Sequence, residues 1–393
     1  MRIAFVDFVC DPSRPGKTGL SDLVWDMARE LARAGDEVHI VAPYPEEQSP
    51  SPEITVHQFR MPLIGYRNVL GHALIVRKAW QELRRLGGID VVHCPEYFSP
   101  AVLRLLGTSA PIVFTEPGNI YERIKNGNPY DWWTTQAYKW AARRSARSAA
   151  RIVATSDEMR AWWEWTGAAA RRIVRVPLGI DPLLFQPRPD ARPRLGMAPD
   201  ERVLLYAARL SRENGADLAL RAFQQAQQAV PGLRLHMLGD GPERPALERL
   251  AADWGIGHLV TWHGWVDFRD LPLYYSAADA YIFSGTSGGT PRTLIQAMGC
   301  GAACVASSIG GIVDHVEHNS SGLLVPPRDV AGFADAVRRV MGDHALRRAL
   351  GDAARAYVHQ HLTWAHLARR LRHEVYAPLS GKHPIRAETA RVA

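Results

Sequence analysis

Cysteine is scarce in this chain of 393 residues: Cys10, Cys94, Cys300 and Cys304 are the only four, and none form a C-x-x-C pair. That count excludes a disulfide scaffold and points to a reducing cytosol as the compartment. Long apolar runs are missing too. No stretch reaches the ~18–20 apolar residues that span a bilayer, which excludes an integral helical membrane protein. Met1–Val9 is a short apolar strand preceding a Pro-rich, polar run. It lacks the apolar core and small-residue cleavage site of a signal peptide, so no leader is expected. Low-complexity sequence is also lacking. Hydrophobic residues make up 47% and charged residues 22%, which is a globular composition of two or three domains at this length. The net charge of +7 leaves room for an anionic partner: a phosphorylated ligand, a lipid surface or nucleic acid.

What is present is a repeated alternation of strand and helix. Arg2-Ile-Ala-Phe-Val-Asp7 reads as a buried strand, Ser21–Ala34 as an amphipathic helix stopped by Gly35, and Glu37-Val-His-Ile-Val-Ala42 as the next strand. Further β-branched runs follow at 90–93, 111–115, 150–155 and 172–176. Pro182, Pro187, Pro189, Pro193 and Pro199 then mark a boundary. A second series begins with strands at 202–207, 233–238, 258–262, 280–283, 303–306 and 322–325, and ends in helices at 330–341, 344–359 and 363–376. The fold class is therefore α/β, with two doubly wound parallel sheets facing a central cleft. Residues 1–185 form the first domain, with a C-terminal helix at about 363–379 packing back on it. Residues 186–362 form the second domain, and 380–393 a loose tail.

Three loops between a strand and a helix carry candidate chemistry. Gly16-Lys-Thr-Gly19 is either an ordinary turn or a phosphate loop at a helix N-terminus. Ala208-Arg-Leu-Ser-Arg-Glu-Asn-Gly215 brings Arg209 off a strand end, to hold a phosphate or to form a structural ion pair. Ser284 to Met298 is dense in Gly, Ser and Thr where a helix begins, a setting for anion binding, and Gln296 follows about a turn later. His315 and His318 share one turn without a third metal ligand. His93 and His263 end strands, where they either line the cleft or fill hydrogen-bonded core positions.

These pieces resemble a known family in order and over most of the chain, Met1 to about Tyr376. Val153-Ala-Thr-Ser-Asp-Glu-Met159, Ile173 to Asp181, Ala208-Arg-Leu210, Leu238-Gly-Asp-Gly-Pro242, Gly264-Trp-Val266, Gly289 to Gly301, Ser308 to Gly311 and Gly322 to Pro327 are similar to motifs of the retaining GT-B glycosyltransferases of family 4. The resemblance implies transfer of a sugar from a nucleotide-diphosphate sugar with retained configuration and no required metal or other cofactor. It implies that Arg209 holds the diphosphate and that Gly19 meets it from the first domain. Gly239, Gly289, Thr290 and Pro291 then line the donor loop, Val266 offers its backbone to the base, and Gln296 faces the ribose.

The chain departs from the family pattern at three places. The Lys five residues after the Arg is here Asn214. The two Glu residues eight apart are Gly288 and Gln296. The His of a Thr-x-His run is absent, leaving Glu116 or Asn119 in that space. Lys17, Arg212 and Arg292 are candidate replacement cations, with Arg292 preferred because it opens the helix beside Thr290. The implied function is a glycosyltransferase acting on a small-molecule or lipid-linked acceptor. The alternative is a catalytically impaired nucleotide-sugar-binding protein that partners an active transferase. Trp132, Trp133, Trp140, Trp162, Trp163 and Trp165 lie among Lys139, Arg143, Arg144, Arg147 and Arg151. They are either core residues with solvated cations, or a face for peripheral contact at the inner side of a membrane. No nucleic-acid-binding module is present.

Overall fold

The computed structural model describes residues 1–6, 19–43, 51–59, 69–116, 132–198, 200–286 and 289–380. Among these, the first half builds one parallel sheet from β1 (Arg2–Val6), β2 (Glu37–Ala42), β3 (Ile54–Gln58), β4 (Val91–Cys94), β5 (Ile112–Glu116), β6 (Arg151–Ala154) and β7 (Ile173–Arg175), in the order β3-β2-β1-β4-β5-β6-β7. Helices α1 (Gly19–Arg33), α2 (Val69–Leu86), α3 (Phe98–Leu105), α4 (Trp132–Ser148) and α5 (Asp157–Trp165) make the crossovers. Successive strand residues point to opposite faces, and here both faces are covered. Ala4, Val6, Val92 and Phe114 pack with Ile75, Val76 and Ala141 on one side. Ile3, Phe5, Ile40 and Val113 pack with Leu23, Val24 and Leu31 of α1 on the other. Double coverage explains why these strands read as continuous apolar runs instead of alternating ones.

The second half repeats the scheme with β8 (Arg202–Ala207), β9 (Leu233–Leu238), β10 (Val260–Gly264), β11 (Ala280–Phe283), β12 (Ala303–Ser307) and β13 (Leu323–Val325), in the order β10-β9-β8-β11-β12-β13. Its helices are α6 (Ala191–Arg194), α7 (Ala216–Ala226), α8 (Arg244–Asp253), α9 (Leu271–Ala277), α10 (Arg292–Gly299), α11 (Val330–Gly342) and α12 (His344–His361). Leu204, Tyr206, Leu235 and Ile282 meet Phe223 of α7 and Phe333 of α11. Leu205, Tyr281 and Phe283 meet Leu294 and Met298 of α10 and Val358 of α12. In each sheet the strand order reverses beside the first strand, at β1/β4 and at β8/β11, which is where open α/β sheets leave a crevice for ligands.

The last described helical segment returns to the first domain. Helix α13 (Trp364–Arg370) continues as a wider turn through Leu371–Tyr376. Trp364, Leu367, Leu371, Val375 and Tyr376 are buried in the same core as Ile3 and Phe5. Each such side chain contributes about 1.5–3 kcal/mol when fully buried, so the return of this helix is a substantial part of the first domain's stability. The Pro-rich stretch after Ile180 is packed as well: Phe185 is buried, and Arg192 pairs with Asp279 at 2.6 Å.

The tryptophans split between the two expectations. Trp162 and Trp163 are buried, whereas Trp133, Trp140 and Trp165 are 76%, 48% and 78% exposed. The tandem Trp162 and Trp163 enter one core cluster with ring centroids 4.4 Å apart, while Trp165, two residues or ~200° further round α5, faces solvent.

Candidate active site

The loops leaving β8, β9 and β10 are stitched to one another at the carboxyl end of the second sheet. Ala208 donates its amide to the Leu238 carbonyl at 3.2 Å, Leu210 to Asp240 at 3.1 Å, and Gly239 to Gly264 at 2.7 Å. Gly239 has φ +112°, and a Cβ there would overlap the Ala208 carbonyl. Only glycine lets the β9 loop pass this close to the residue that precedes Arg209.

Beside these loops, against the N-terminal turn of α10, lies a cavity of about 170 Å³. Its polar lining comes from Arg209, Arg292, Thr293 and Gln296, and its apolar wall from Trp265, Val266 and Phe268. Arg209 is exposed to solvent at the cavity edge, and its side chain has no carboxylate partner among the described residues. Gln296 is 3% exposed and accepts a hydrogen bond from the Tyr275 hydroxyl at 3.2 Å. Burial pushes the Tyr275 phenol well above its usual range, so it stays a donor and fixes the Gln296 oxygen away from rotation. Two guanidiniums, a helix N-terminus and a flat apolar wall in one recess suit an anionic group attached to an aromatic or sugar body.

The departures from the family pattern have definite places. Asn214 does not reach the cavity wall. Its amide donates to the Arg209 carbonyl at 3.0 Å, and its own carbonyl accepts from the Tyr206 hydroxyl at 3.0 Å. It braces the Arg209 loop but supplies no charge. Arg212 is excluded as the substitute cation: it is 89% exposed, lies near Glu243 at 3.6 Å and does not line the cavity. Arg292 does line it, with its guanidinium 5.8 Å from the Phe268 ring centroid. Thr290 turns inward, donating its hydroxyl to the Gly311 carbonyl at 3.0 Å, and Pro291 precedes the first turn of α10. Gly289 lies in the same loop, and Gly19 opens α1. Lys17, Asn119, Gly288 and the side chain of Glu116 lie outside the described residues.

Two histidines expected near the cleft have structural partners. The His93 ring nitrogens sit 2.6 Å from the Tyr376 hydroxyl and 2.8 Å from Thr115 Oγ1, which ties β4 to the C-terminal helix. Burial lowers its pKa to about 3. His263 lies 3.0 Å from His236, which contacts Glu201 at 3.1 Å. His315 meets the Tyr357 hydroxyl at 2.9 Å, and the His318 ring accepts from the Leu324 amide. Among the described residues no three His, Cys, Asp or Glu side chains gather as metal ligands. Sequence reasoning missed Trp265, Phe268 and Thr293 in the cavity wall. An aromatic pair on either side of Val266 was the available signal.

The faces of the two domains touch near the site. Arg175 Nη2 lies 3.0 Å from Asp314 Oδ2, the Asp157 amide donates to the same carboxylate at 3.1 Å, and Arg292 lies 3.5 Å from Asp26 of α1.

Comparison with known proteins matches both halves. Residues 18–183 fit the family described as Glycosyltransferase Family 4 and residues 187–357 the family described as Glycosyl transferases group 1. A D-inositol 3-phosphate glycosyltransferase of Nocardia farcinica is 30% identical over 320 residues, covering 78% of this chain and 71% of that protein. The chain belongs to glycosyltransferase family 4. A second relative of this glycosyltransferase is the GDP-mannose-dependent alpha-(1-6)-phosphatidylinositol monomannoside mannosyltransferase of Mycolicibacterium smegmatis, 25% identical over 74% of this chain and 78% of that protein. The sucrose-phosphate synthase of Thermosynechococcus elongatus superposes with a TM-score of 0.82 at 24% identity, covering 94% and 97% of the two chains. That likeness supports the GT-B fold, which the two facing parallel sheets already display.

Proposed function

We propose that this glycosyltransferase moves a sugar from a nucleoside-diphosphate sugar to a hydroxylated acceptor with retained configuration and without a required metal. The observation that carries the reading is the recess holding Arg209, Arg292 and the start of α10. In this reaction the bond from the sugar's anomeric carbon to the diphosphate oxygen breaks. The acceptor hydroxyl attacks from the same face, and its proton passes to the departing diphosphate. The leaving oxygen gains negative charge as the bond stretches. Preorganised cations aimed at such charge supply a large share of catalysis. Arg209 holds the diphosphate, and Arg292 supplies the second cation that Asn214 cannot. Gly239, Gly289, Thr290 and Pro291 shape the donor loop, Val266 and Trp265 face the base, and Gln296 faces the ribose. Gly19 meets the diphosphate from the first domain, with Glu116 or Asn119 beside the transferred sugar.

The acceptor class that fits the named relatives is a phosphorylated cyclitol or its lipid-linked form. Exposed Trp133, Trp140 and Trp165 beside exposed Arg143, Arg144 and Arg147 support peripheral contact with an anionic membrane face on the cytoplasmic side. No helix among the described residues is long and apolar enough to cross a membrane.

A second reading keeps donor binding and drops transfer, with this chain partnering an active transferase. It is favoured by Asn214, whose amide is committed to the Arg209 carbonyl. One experiment tests both readings: a panel of nucleoside-diphosphate sugars with inositol phosphate and phosphatidylinositol acceptors, read as nucleoside diphosphate released. The wild type is expected to turn over, and Arg209→Ala to lose about 10²-fold or more. Donor binding without turnover across the panel supports the second reading, and absence of nucleotide binding rejects both.

A further inference from the structure

Arg292 is gripped from the opposite domain. Its Nη2 lies 3.5 Å from Asp26 Oδ2, and each side chain keeps only 14% of its surface exposed. Asp26 sits on α1 between Trp25 and Met27, both buried in the first domain's core, so its backbone has little freedom to follow a moving partner. Its other oxygen lies 3.7 Å from Arg29, one turn along the same helix. Arg292 starts α10 in the second domain, faces the Phe268 ring and lines the cavity. A single guanidinium thus meets a carboxylate of one domain while bordering the ligand recess of the other. The planar, multi-donor group suits this double duty, because it can hold two anionic acceptors on different edges. The carboxylate adds a fixed anchor to the Phe268 contact and narrows the rotamers open to this long side chain. Largely desolvated charges need counter-charges, and separating the domains would take from this pair the one that crosses between them.

We propose that Asp26 is a positioning residue: from the first domain it aims the Arg292 guanidinium at the donor recess and so couples an occupied recess to the closed arrangement of the two domains. The identity of the anion, a nucleoside diphosphate, rests on the function proposed above, whereas the clasp between the domains does not. With diphosphate bound, one cation is shared by Asp26 and the ligand, and the donor binds best when the domains are shut.

The sign of one measurement separates this role from simple charge balance. Deleting a carboxylate beside an anion site tightens anion binding if only the charge matters. A positioning role weakens it. Isothermal calorimetry with UDP, GDP and ADP on the full chain is expected to show Asp26→Asn binding the preferred nucleotide about tenfold more weakly. Asp26→Glu should stay within about threefold of the wild type. Arg292→Gln should weaken binding, and the Asp26→Asn/Arg292→Gln pair should bind no more weakly than Arg292→Gln alone, because Asp26 acts through Arg292. Small-angle X-ray scattering of the ligand-free protein should show Asp26→Asn folded but with a larger radius of gyration. Tighter binding by Asp26→Asn, or losses that multiply in the double variant, would overturn the positioning role. An unchanged radius would overturn the clasp. If the wild type binds none of the three nucleotides, the functional reading falls, while the scattering comparison still decides the clasp.

Discussion

Replacing Gly239 by alanine tests whether the close approach of the β9 loop to the Arg209 loop is what shapes the donor recess. Two penalties add. Gly239 has φ +112°, and a side chain in such a sparsely populated region costs about 1–3 kcal/mol. The new Cβ would also overlap the Ala208 carbonyl, so backbone must move. Gly239 is tied by its amide to Gly264 at 2.7 Å, which directs the movement into Ala208 and Arg209. A displacement of ~1 Å at a positioning group is enough to lower activity by ~10²-fold. Gly232 is the control: its φ is +73°, yet a Cβ there would meet nothing within 4 Å. Both alanine variants should melt lower, by roughly 2–4 °C for each kcal/mol. Gly239→Ala alone should lose nucleoside-diphosphate binding by calorimetry. If Gly239→Ala binds as well as Gly232→Ala, the stitched loops do not set the position of Arg209, and the argument fails.

His93 has its pKa lowered to about 3 by burial, so below about pH 6.5 the unfolded chain takes up a proton that the folded chain refuses. Stability should therefore fall with acidification from pH 6.5 toward 3, with this group contributing about 1.4 kcal/mol per pH unit. Urea melts of His93→Gln should show a slope shallower by that share, and an unchanged slope would contradict the assignment. Asn214→Lys returns a cation to the family's position at the loss of the 3.0 Å bond to the Arg209 carbonyl, which is worth about 1 kcal/mol. With Arg292 already supplying the second cation, the variant should melt slightly lower and turn donor over no faster than the wild type, and a rise of about tenfold or more would show that Arg292 does not fill the role. The Trp133→Ala/Trp140→Ala pair should lose sedimentation with phosphatidylglycerol vesicles but keep nucleotide binding; sedimentation equal to the wild type would refute the membrane face.

Much of the architecture could be read along the chain because it depends on local period. The runs Arg202-Val-Leu-Leu-Tyr-Ala207 and Leu233-Arg-Leu-His-Met-Leu238 became β8 and β9, five of whose six residues each are buried, as strands covered on both faces require. Helix α12 matched its apolar spacing to within two residues of its end. Ile54–Gln58 escaped notice because this edge strand is only partly buried and carries His57 and Gln58, so its pattern is weak. The short helix Leu271–Ala277 begins with Leu and Pro and offers too few turns to show a period.

The candidate site was legible only in part. In residue order Arg209, Gly239 and Val266 stand just after strand ends, which converge in this kind of sheet, and the family resemblance set Gln296, inside α10, beside them; all four line one recess. The same order said nothing of Asn214 turning back to its own loop, of the Tyr376 hydroxyl meeting His93 across 283 positions, or of Asp26 reaching Arg292. Local sequence determines elements through backbone sterics and apolar period, which act over a few residues. The partner of a charged or hydrogen-bonding side chain is decided by how sheets, helices and the two domains pack, and only the tertiary structure brings those distant groups together.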